Sequence, residues 1–398
     1  METSKMKIFD SAQKSKISDT VKGFRDYTGQ EAMKRARIRT IVEETFNNYG
    51  FEPAETPVIE YEEFVKSGNE NDESVSDTFK LQDRGKRKLA LRYELTFPLK
   101  RVMQNKKLPY RRYQIGPVFR DEPTTGNRFR QFISCDADII GSTEKDEAEI
   151  IKLASEILEK LNVKYKIYFN NRRLLNEILD EQGIKDKERV IKEIDKLDKL
   201  PEKEVKENLK KYKAEKLLTI FKEKESYFKK YKAYSEIEGL KEYCKIFNVE
   251  VNFQPSLARG LSYYSGTVFE IKSSIKETIL GGGSYVFNGI QCCGFGVGIE
   301  RLGAVSDIKI ANNKILIVSI EQDKKAIQLA EKIRKSGTPC LIMYGKPGKA
   351  LDYANSYKIP YAIFLGKNEA EQGKFKLRDM KTGKEKLISE KELVEDET

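Results

Sequence analysis

Apolar residues recur three and four positions apart at Ile38, Ile41, Val42, Phe46 and Tyr49, the signature of a helix with one buried face. Thr28 and Glu31 form a T-x-x-E capping box ahead of it, and Gly50 marks its end. The stretch 51–60, which contains Pro57, reads as extended, 67–77 as a polar loop, and strand-like runs alternate with turns as far as Gly141. An amphipathic helix is predicted over 142–161 and a strand over 163–169. Residues 171–250 have almost no glycine or proline and nearly balanced charges, which predicts a helical insertion with mixed-charge outer faces. Strand signals return at 251–272 and 285–299. Buried-strand candidates at 315–320, 339–344 and 361–365 then alternate with helical stretches 323–335 and 347–357, as in a compact α/β domain. The expected organisation is an α+β domain built from 1–170 and 251–306, interrupted by the helical insertion 171–250 and followed by an α/β domain at 313–398. No internal repeat is visible.

Composition narrows the chemistry. The 398 residues carry a formal charge of +11, which suits a polyanion such as nucleic acid but equally a lysine-rich solvated surface. No apolar run approaches the roughly 20 residues that span a bilayer. The first 16 residues lack an apolar signal core, and Glu2 and Asp10 argue against a transit peptide. Five cysteines without a CxxC pair fit reduced thiols, so a cytoplasmic location is expected. The adjacent Cys292 and Cys293 read either as a redox pair or as small core residues. There is no histidine at all, which excludes imidazole bases, Ser-His and Cys-His pairs and His-ligated metals. Chemistry is left to arginines, carboxylates, phenols, bound metal or the substrate.

Three segments carry arginine in chemically suggestive company. In 257–270, LARGLSYYSGTVFE, Arg259 stands before the paired phenols Tyr263 and Tyr264. A planar guanidinium fork fits carboxylate or phosphate oxygens, so this reads as a pocket for a small zwitterion or a phosphate ester. In 113–141 a strand, a turn at 123–127 and a returning strand carry Arg120, Glu122, Arg128 and Arg130, with Phe132 offering an aromatic plane; the even spacing of Arg120 and Glu122 predicts one strand face. That hairpin suits a nucleotide, or is simply a charged surface. In 281–302, glycines at 294, 296 and 298 precede Arg301 at a strand-to-helix junction, leaving a flat face for a ligand or a packed helix. Three strand-borne arginines, Arg120, Arg259 and Arg301, would stabilise negative charge building on phosphorus together with Mg²⁺.

These motifs, in this order, resemble the histidyl-tRNA synthetases, a family of class II aminoacyl-tRNA synthetases. VKGFRDYTG at 21–29 with the following helix is similar to motif 1, a dimer-forming element; FRDE and RFRQF are similar to motif 2, and GVGIERL to motif 3. LRYELT at 91–96, IDKLDKL at 194–200 and LARGLSYY at 257–264 resemble more family-specific segments, and the region from Lys314 onward resembles an anticodon-binding domain. The resemblance implies a class II antiparallel sheet flanked by helices, with a helical insertion and a C-terminal α/β anticodon-binding domain. It implies a homodimeric ligase that joins histidine to tRNA(His) using ATP and Mg²⁺; composition adds the expectation of no membrane partner and no His or Cys metal site.

Residue by residue, the resemblance implies that Arg120 holds the α-phosphate of ATP and that Arg128 and Arg301 take the β- and γ-phosphates. Glu122 would orient ATP and Phe132 stack on adenine. Arg259 would lie between the substrate carboxylate and the α-phosphate, making Arg259 and Arg120 the catalytic pair. Glu94 and Thr96 would bind the α-ammonium, while Ser134, Asp138, Tyr263, Tyr264 and Tyr285 complete the histidine pocket. The chain also departs from the family, which usually has Gln in place of Ser134, Asp in place of Ser262, and Arg-Tyr-Asp in place of Ser284-Tyr285-Val286, with a longer segment between Tyr285 and Cys293. Those departures leave a second implied reading, a synthetase-like regulatory protein that binds histidine or tRNA without ligating them.

Overall fold

The amphipathic stretch after Thr28 folds as the helix Gly29–Asn48 in the computed structural model, which describes residues 19–67, 73–126, 128–259, 263–310 and 312–395. Gly50, at φ +73°, ends the helix region in a left-handed conformation open to glycine. The expected capping box does not form. Thr28 occupies the N-cap in an extended conformation, but its hydroxyl makes no capping bond, and Glu31 pairs instead with Arg25 at 3.0 Å. A box does open the helix Glu144–Lys160, where the Asp146 carboxylate accepts the Thr143 backbone N–H at 2.8 Å.

The described residues divide into two units between Ile308 and Lys309. In the first, strands β1 (Glu52–Pro53), β5 (Tyr110–Phe119), β6 (Gln131–Ile140), β7 (Lys166–Asn171), β8 (Asn252–Phe253), β9 (Tyr264–Lys272), β10 (Leu280–Phe287) and β11 (Ile290–Gly298) form one sheet, while β2 (Ile59–Tyr61), β3 (Lys80–Gln82) and β4 (Lys88–Leu91) form a small separate one. The order of the large sheet is β1-β5-β6-β11-β10-β9-β7-β8, antiparallel throughout except at its two edges, where β1 runs parallel to β5 and β8 parallel to β7.

Strand alternation divides this sheet chemically. Tyr113, Cys135, Ala137, Ile139, Phe295 and Val297 point into a core shared with Ile38, Val42 and Phe46 of the first helix and with Ala148, Ile151 and Ala154 of the Glu144–Lys160 helix. Their sequence neighbours Ser134, Asp136, Asp138, Gly294, Gly296 and Gly298 line the opposite, uncovered face. The helices between Arg172 and Ile246 extend the same core through Leu174, Ile178, Ile191 and Leu240.

Two strand expectations change. Among the described residues, the stretch 251–272 is strand at Asn252–Phe253 and Tyr264–Lys272, and Arg259 lies in the loop between β8 and β9. The run 285–299 belongs to a hairpin beginning at Leu280, turned by Asn288 and Gly289 at φ +51° and +77°. Both residues have positive φ, as a tight two-residue hairpin turn demands, and Asn-Gly is the dipeptide that tolerates it.

In the second unit β12 (Ile315–Ser319), β13 (Cys340–Tyr344) and β14 (Tyr361–Leu365) occupy the three expected positions. They pair in parallel, and β15 (Lys374–Asp379) and β16 (Glu385–Ser389) add an antiparallel hairpin that the alternation did not announce.

Phe46 is fully buried against Phe51, Tyr113 and Phe295. Phe46→Ala is expected to destabilise the first unit by about 3–5 kcal/mol, measured by urea denaturation; a loss below ~1 kcal/mol would contradict the packing assigned to this side chain.

Candidate active site

The uncovered face opens into a cleft, and all thirteen residues to which the resemblance gives a site role line it, whereas Arg130 of the hairpin does not. Arg120, Glu122, Arg128, Phe132 and Arg301 come together at one end, Glu94, Thr96, Asp138, Tyr263 and Tyr285 line it with Ser134 and Tyr264, and Arg259 completes the set. Gly260, Leu261 and Ser262, next to Arg259, lie outside the described residues, as does Asn127 in the motif 2 turn.

None of the three key arginines is in a strand, contrary to the expectation from spacing. Arg120 follows the last residue of β5, Arg259 is in a loop, and Arg301 is in the first turn of the helix Ile299–Val305. Glu122 is past the end of β5 as well, so Arg120 and Glu122 do not share a strand face. The reason is geometric: side chains on one flat strand face diverge along it, whereas side chains from strand ends, a loop and a helix start can converge on one point.

Among the described residues each guanidinium meets one acceptor. Arg120 Nε donates to the Tyr93 carbonyl at 3.0 Å, and its Cζ lies 5.3 Å from the Phe132 ring centroid. Arg301 Nη1 donates to the Thr278 carbonyl at 2.9 Å. Arg128 pairs with Glu122 at 3.1 Å, and Arg259 Nη1 with Glu270 at 2.8 Å. Burial lowers the Arg301 pKa, and the charges of Arg120, Arg128 and Arg259 lower it further. Burial also opposes the charge of Arg259, but Tyr264, Glu270 and Asp195 outweigh it and raise its pKa. This end of the cleft is therefore a cluster of mutually repelling cations suited to an anion of several charges.

The floor explains the glycines. On β11, Gly294, Gly296 and Gly298 stand directly opposite Asp138, Asp136 and Ser134 of β6. A Cβ on Gly294 would sit 2.2 Å from Asp138 Oδ1, and one on Gly296 2.9 Å from Asp136 Oδ1. On β10, a Cβ at Gly281 would meet Arg259 Nη1 at 2.1 Å. The glycines thus make room for buried charged groups and lie on the open cleft face.

At the other end Asp138 is buried between Arg112, whose Nη2 is 2.7 Å from Oδ2, and Tyr285, whose hydroxyl donates to Oδ1 at 2.5 Å. Burial raises the Asp138 pKa, against the pull of Arg112 and Tyr285. Tyr263 and Tyr285 are driven well above the ordinary phenol range by burial. The Ser134 hydroxyl donates to Asp136 Oδ1 at 2.5 Å, so the serine's polar group is already engaged. Asp136, pushed up to about 6 by burial, was not anticipated from the motifs, nor were Glu270, Glu300 and Arg112. The period-two spacing of Asp136 and Asp138 on one strand was the available signal for the first of them. Glu300 accepts the Ile133 backbone N–H and the Arg35 guanidinium, the latter at 2.8 Å, tying the helix Ile299–Val305 to β6 and to the first helix.

Residues 23–302 match the model of the histidyl-tRNA synthetase family. The chain belongs to that family. Residues 314–396 match a family described as an anticodon binding domain. Similar curated proteins include histidine–tRNA ligase 1 of Bacillus cereus (strain ATCC 14579), 35% identical with 92% of this chain and 96% of that protein covered. Another is histidine–tRNA ligase 2 of Shouchella clausii (strain KSM-K16), 32% identical over 92% of this chain and 97% of that one. Among solved structures, the histidyl-tRNA synthetase of Nostoc sp. PCC 7120 superposes with a TM-score of 0.81 at 23% identity, covering 95% and 98% of the two chains. A Bacillus halodurans structure titled as an ATP phosphoribosyltransferase regulatory subunit/histidyl-tRNA synthetase superposes at 0.73 and 22% identity, covering 86% and 97%. The fold is therefore that of the class II histidyl-tRNA synthetases, with a large sheet flanked by helices and a separate C-terminal α/β unit.

The raised pKa of Asp136 has a thermodynamic consequence in this synthetase fold. Folding holds a proton that the unfolded chain, with a carboxyl near 3.8, has already released. Stability contributed by this group is therefore present at low pH and is lost as pH rises from about 4 to about 6. In Asp136→Asn that slope should vanish, so the variant gains on the wild type by on the order of 2 kcal/mol across the window. Parallel urea denaturation of the two proteins at pH 4 to 7 checks it, and identical pH slopes would contradict the burial assigned to Asp136.

Proposed function

We propose that this chain is a histidine–tRNA ligase that activates histidine with ATP and transfers it to tRNA(His), acting as a cytoplasmic homodimer. The observation that carries this reading is the convergence, in one cleft, of four guanidinium groups at one end and a buried carboxylate–phenol pair at the other. The substrate carboxylate, ionised at neutral pH, attacks the α-phosphorus of ATP; the bond to the bridging oxygen breaks and pyrophosphate leaves. No protein base is required, which suits a chain without histidine. Arg259 would bridge the attacking carboxylate and the α-phosphate, and Arg120 would hold that phosphate from the other side, both strengthening as charge accumulates on phosphorus. Arg128 and Arg301 would take the β- and γ-phosphates, Glu122 would orient the nucleotide, and Phe132 would stack on its base.

Glu94 and Thr96 would bind the α-ammonium. Asp138, with Tyr264 and Tyr285 nearby, would read the imidazole: an acceptor-only carboxylate faces one ring nitrogen and a phenol the other. Ser134 and Tyr263 complete that pocket. Among the described residues no three His, Cys, Asp or Glu side chains gather as metal ligands, so Mg²⁺ would arrive on the ATP phosphates and supply further charge neutralisation there. In the second step the terminal ribose hydroxyl of tRNA attacks the acyl carbon, AMP leaves, and a phosphate oxygen of the adenylate accepts the proton.

The match of residues 314–396 to an anticodon binding domain supports the tRNA partner. Exposed Ile59, Tyr61 and Leu81 on one face of the small sheet support association of two copies. Among the described residues no helix is long and apolar enough to cross a membrane.

ATP–pyrophosphate exchange with each amino acid in turn tests the reading: exchange is expected with histidine alone. No exchange with any amino acid from folded protein would favour a regulator that binds without ligating. Arg259→Ala is expected to cut adenylate formation by about a thousandfold or more without unfolding the chain; a loss under ~10-fold would reject the bridging role.

A further inference from the structure

Arg112 takes no part in the chemistry above, yet it is a charged side chain with 0% of its surface exposed. From β5 it stands directly opposite Asp138 of β6. Its Nη2 lies 2.7 Å from Asp138 Oδ2 and donates to the Leu95 carbonyl at 2.8 Å. Leu95 sits between Glu94 and Thr96. One buried guanidinium therefore touches both the strand carrying the imidazole-reading carboxylate and the segment carrying the ammonium-binding pair.

An arginine is a poor choice here for packing alone. Among the described residues its Nε and Nη1 have no hydrogen-bond partner, and desolvating a guanidinium so incompletely paired carries a penalty that an apolar side chain would avoid. What the cation supplies is charge. Asp138 faces Tyr285 from β10, Tyr264 from β9, Cys292 from β11, and Asp136 two residues along its own strand, while Cys293 of β11 lies on the opposite, core side. The phenols and thiols are pushed up by burial and stay neutral at physiological pH, and Asp136 adds negative charge. Arg112 is the cation in direct contact with Asp138.

We propose that Arg112 is a positioning residue for the amino-acid substrate: it keeps Asp138 ionised and aimed at the substrate ring. The proposal rests on the histidine reading above and deepens it. Without Arg112 the buried carboxyl should take up a proton within the working pH range, because losing an adjacent cation shifts a carboxylate upward by about 1–3 units. A protonated Asp138 no longer presents an acceptor-only carboxylate to the ring.

The test is ATP–pyrophosphate exchange by full-length wild type and Arg112→Met from pH 6 to pH 8. The KM for histidine is expressed as the variant-to-wild-type ratio at each pH, so that titration of histidine itself cancels. The ratio should be at least ~10-fold larger at pH 6 than at pH 8, while the KM for ATP stays within ~3-fold of wild type. A pH-independent ratio in folded protein would overturn the proposal, as would a pH dependence that disappears when Asp136→Asn is added to both proteins, since Arg112 also acts on Asp136. Should Arg112→Met fail to fold, the double variant Arg112→Met/Asp138→Asn is compared with Asp138→Asn alone. With no carboxyl left to govern, the added change should alter the histidine KM by less than ~3-fold, and a further loss beyond ~10-fold would place the action of Arg112 elsewhere and overturn the proposal. Absence of histidine exchange by the wild type would sink the functional reading itself; a flat ratio beside an active wild type would sink only the role of Arg112.

Discussion

Four guanidinium groups share one end of a half-buried cleft, and their mutual repulsion is the constraint around which this site is built. Left alone, long cationic side chains would turn outward into water. Among the described residues each is instead held by one acceptor: Tyr93 and Thr278 carbonyls for Arg120 and Arg301, Glu122 and Glu270 carboxylates for Arg128 and Arg259. One tether fixes direction while leaving most of the fork's five donors available. The acceptors come from well-separated parts of the chain, so the catalytic geometry is only as good as the packing that brings those parts together. That packing is supplied by the far side of the sheet, where the first helix and the helix Glu144–Lys160 bury the alternate strand positions.

Space is the second half of the same problem. A cluster of charged side chains lying flat on a sheet needs positions without Cβ atoms beneath it. Gly281 lets Arg259 cross β10, and Gly294 and Gly296 let the two aspartates lie against β11. These glycines weaken the strands that carry them, since glycine loses the most backbone freedom on folding. The cost is tolerable because both strands are central, paired on each side over nearly their whole length. A glycine-rich strand at a sheet edge would be far less secure.

Much of this was legible in the sequence, for reasons that can be named. The long helices announced themselves through periodicity, the C-terminal alternation through its spacing, and the motif residues through unusual pairings of arginine, phenol and carboxylate. Three things were not legible. Arg259 was read into a strand because its neighbours are β-prone, whereas tertiary convergence required a loop. The hairpin beginning at Leu280 was missed although Asn288-Gly289 is a strong turn signal, because a run of three glycines obscured the strand before it. Arg112 was invisible as a site residue: in YRRYQIG two adjacent arginines look alike, yet Arg111 faces Asp146 and Glu149 at the helix side while Arg112 is sealed inside. Alternation says that the two must face opposite ways, but not which face is buried with a carboxylate waiting there.

The missing histidines bear on how such a site responds to pH. In most proteins imidazole groups dominate titration near neutrality. Here the only imidazole in the proposed complex would belong to the substrate. The protein's own contribution in that range comes from carboxyls displaced upward by burial: Asp136 at about 6 and Glu147 at about 7. Asp136 lies on the cleft floor beside Ser134 and Asp138, whereas Glu147 belongs to the helix behind the sheet. The two sit on opposite sides of the strands that carry the site, so protonation of one bears on ligand charge and of the other on packing. An unfolding profile would therefore carry both carboxyls, since both shift on folding, whereas a substrate-binding profile would weight Asp136, the one on the cleft floor.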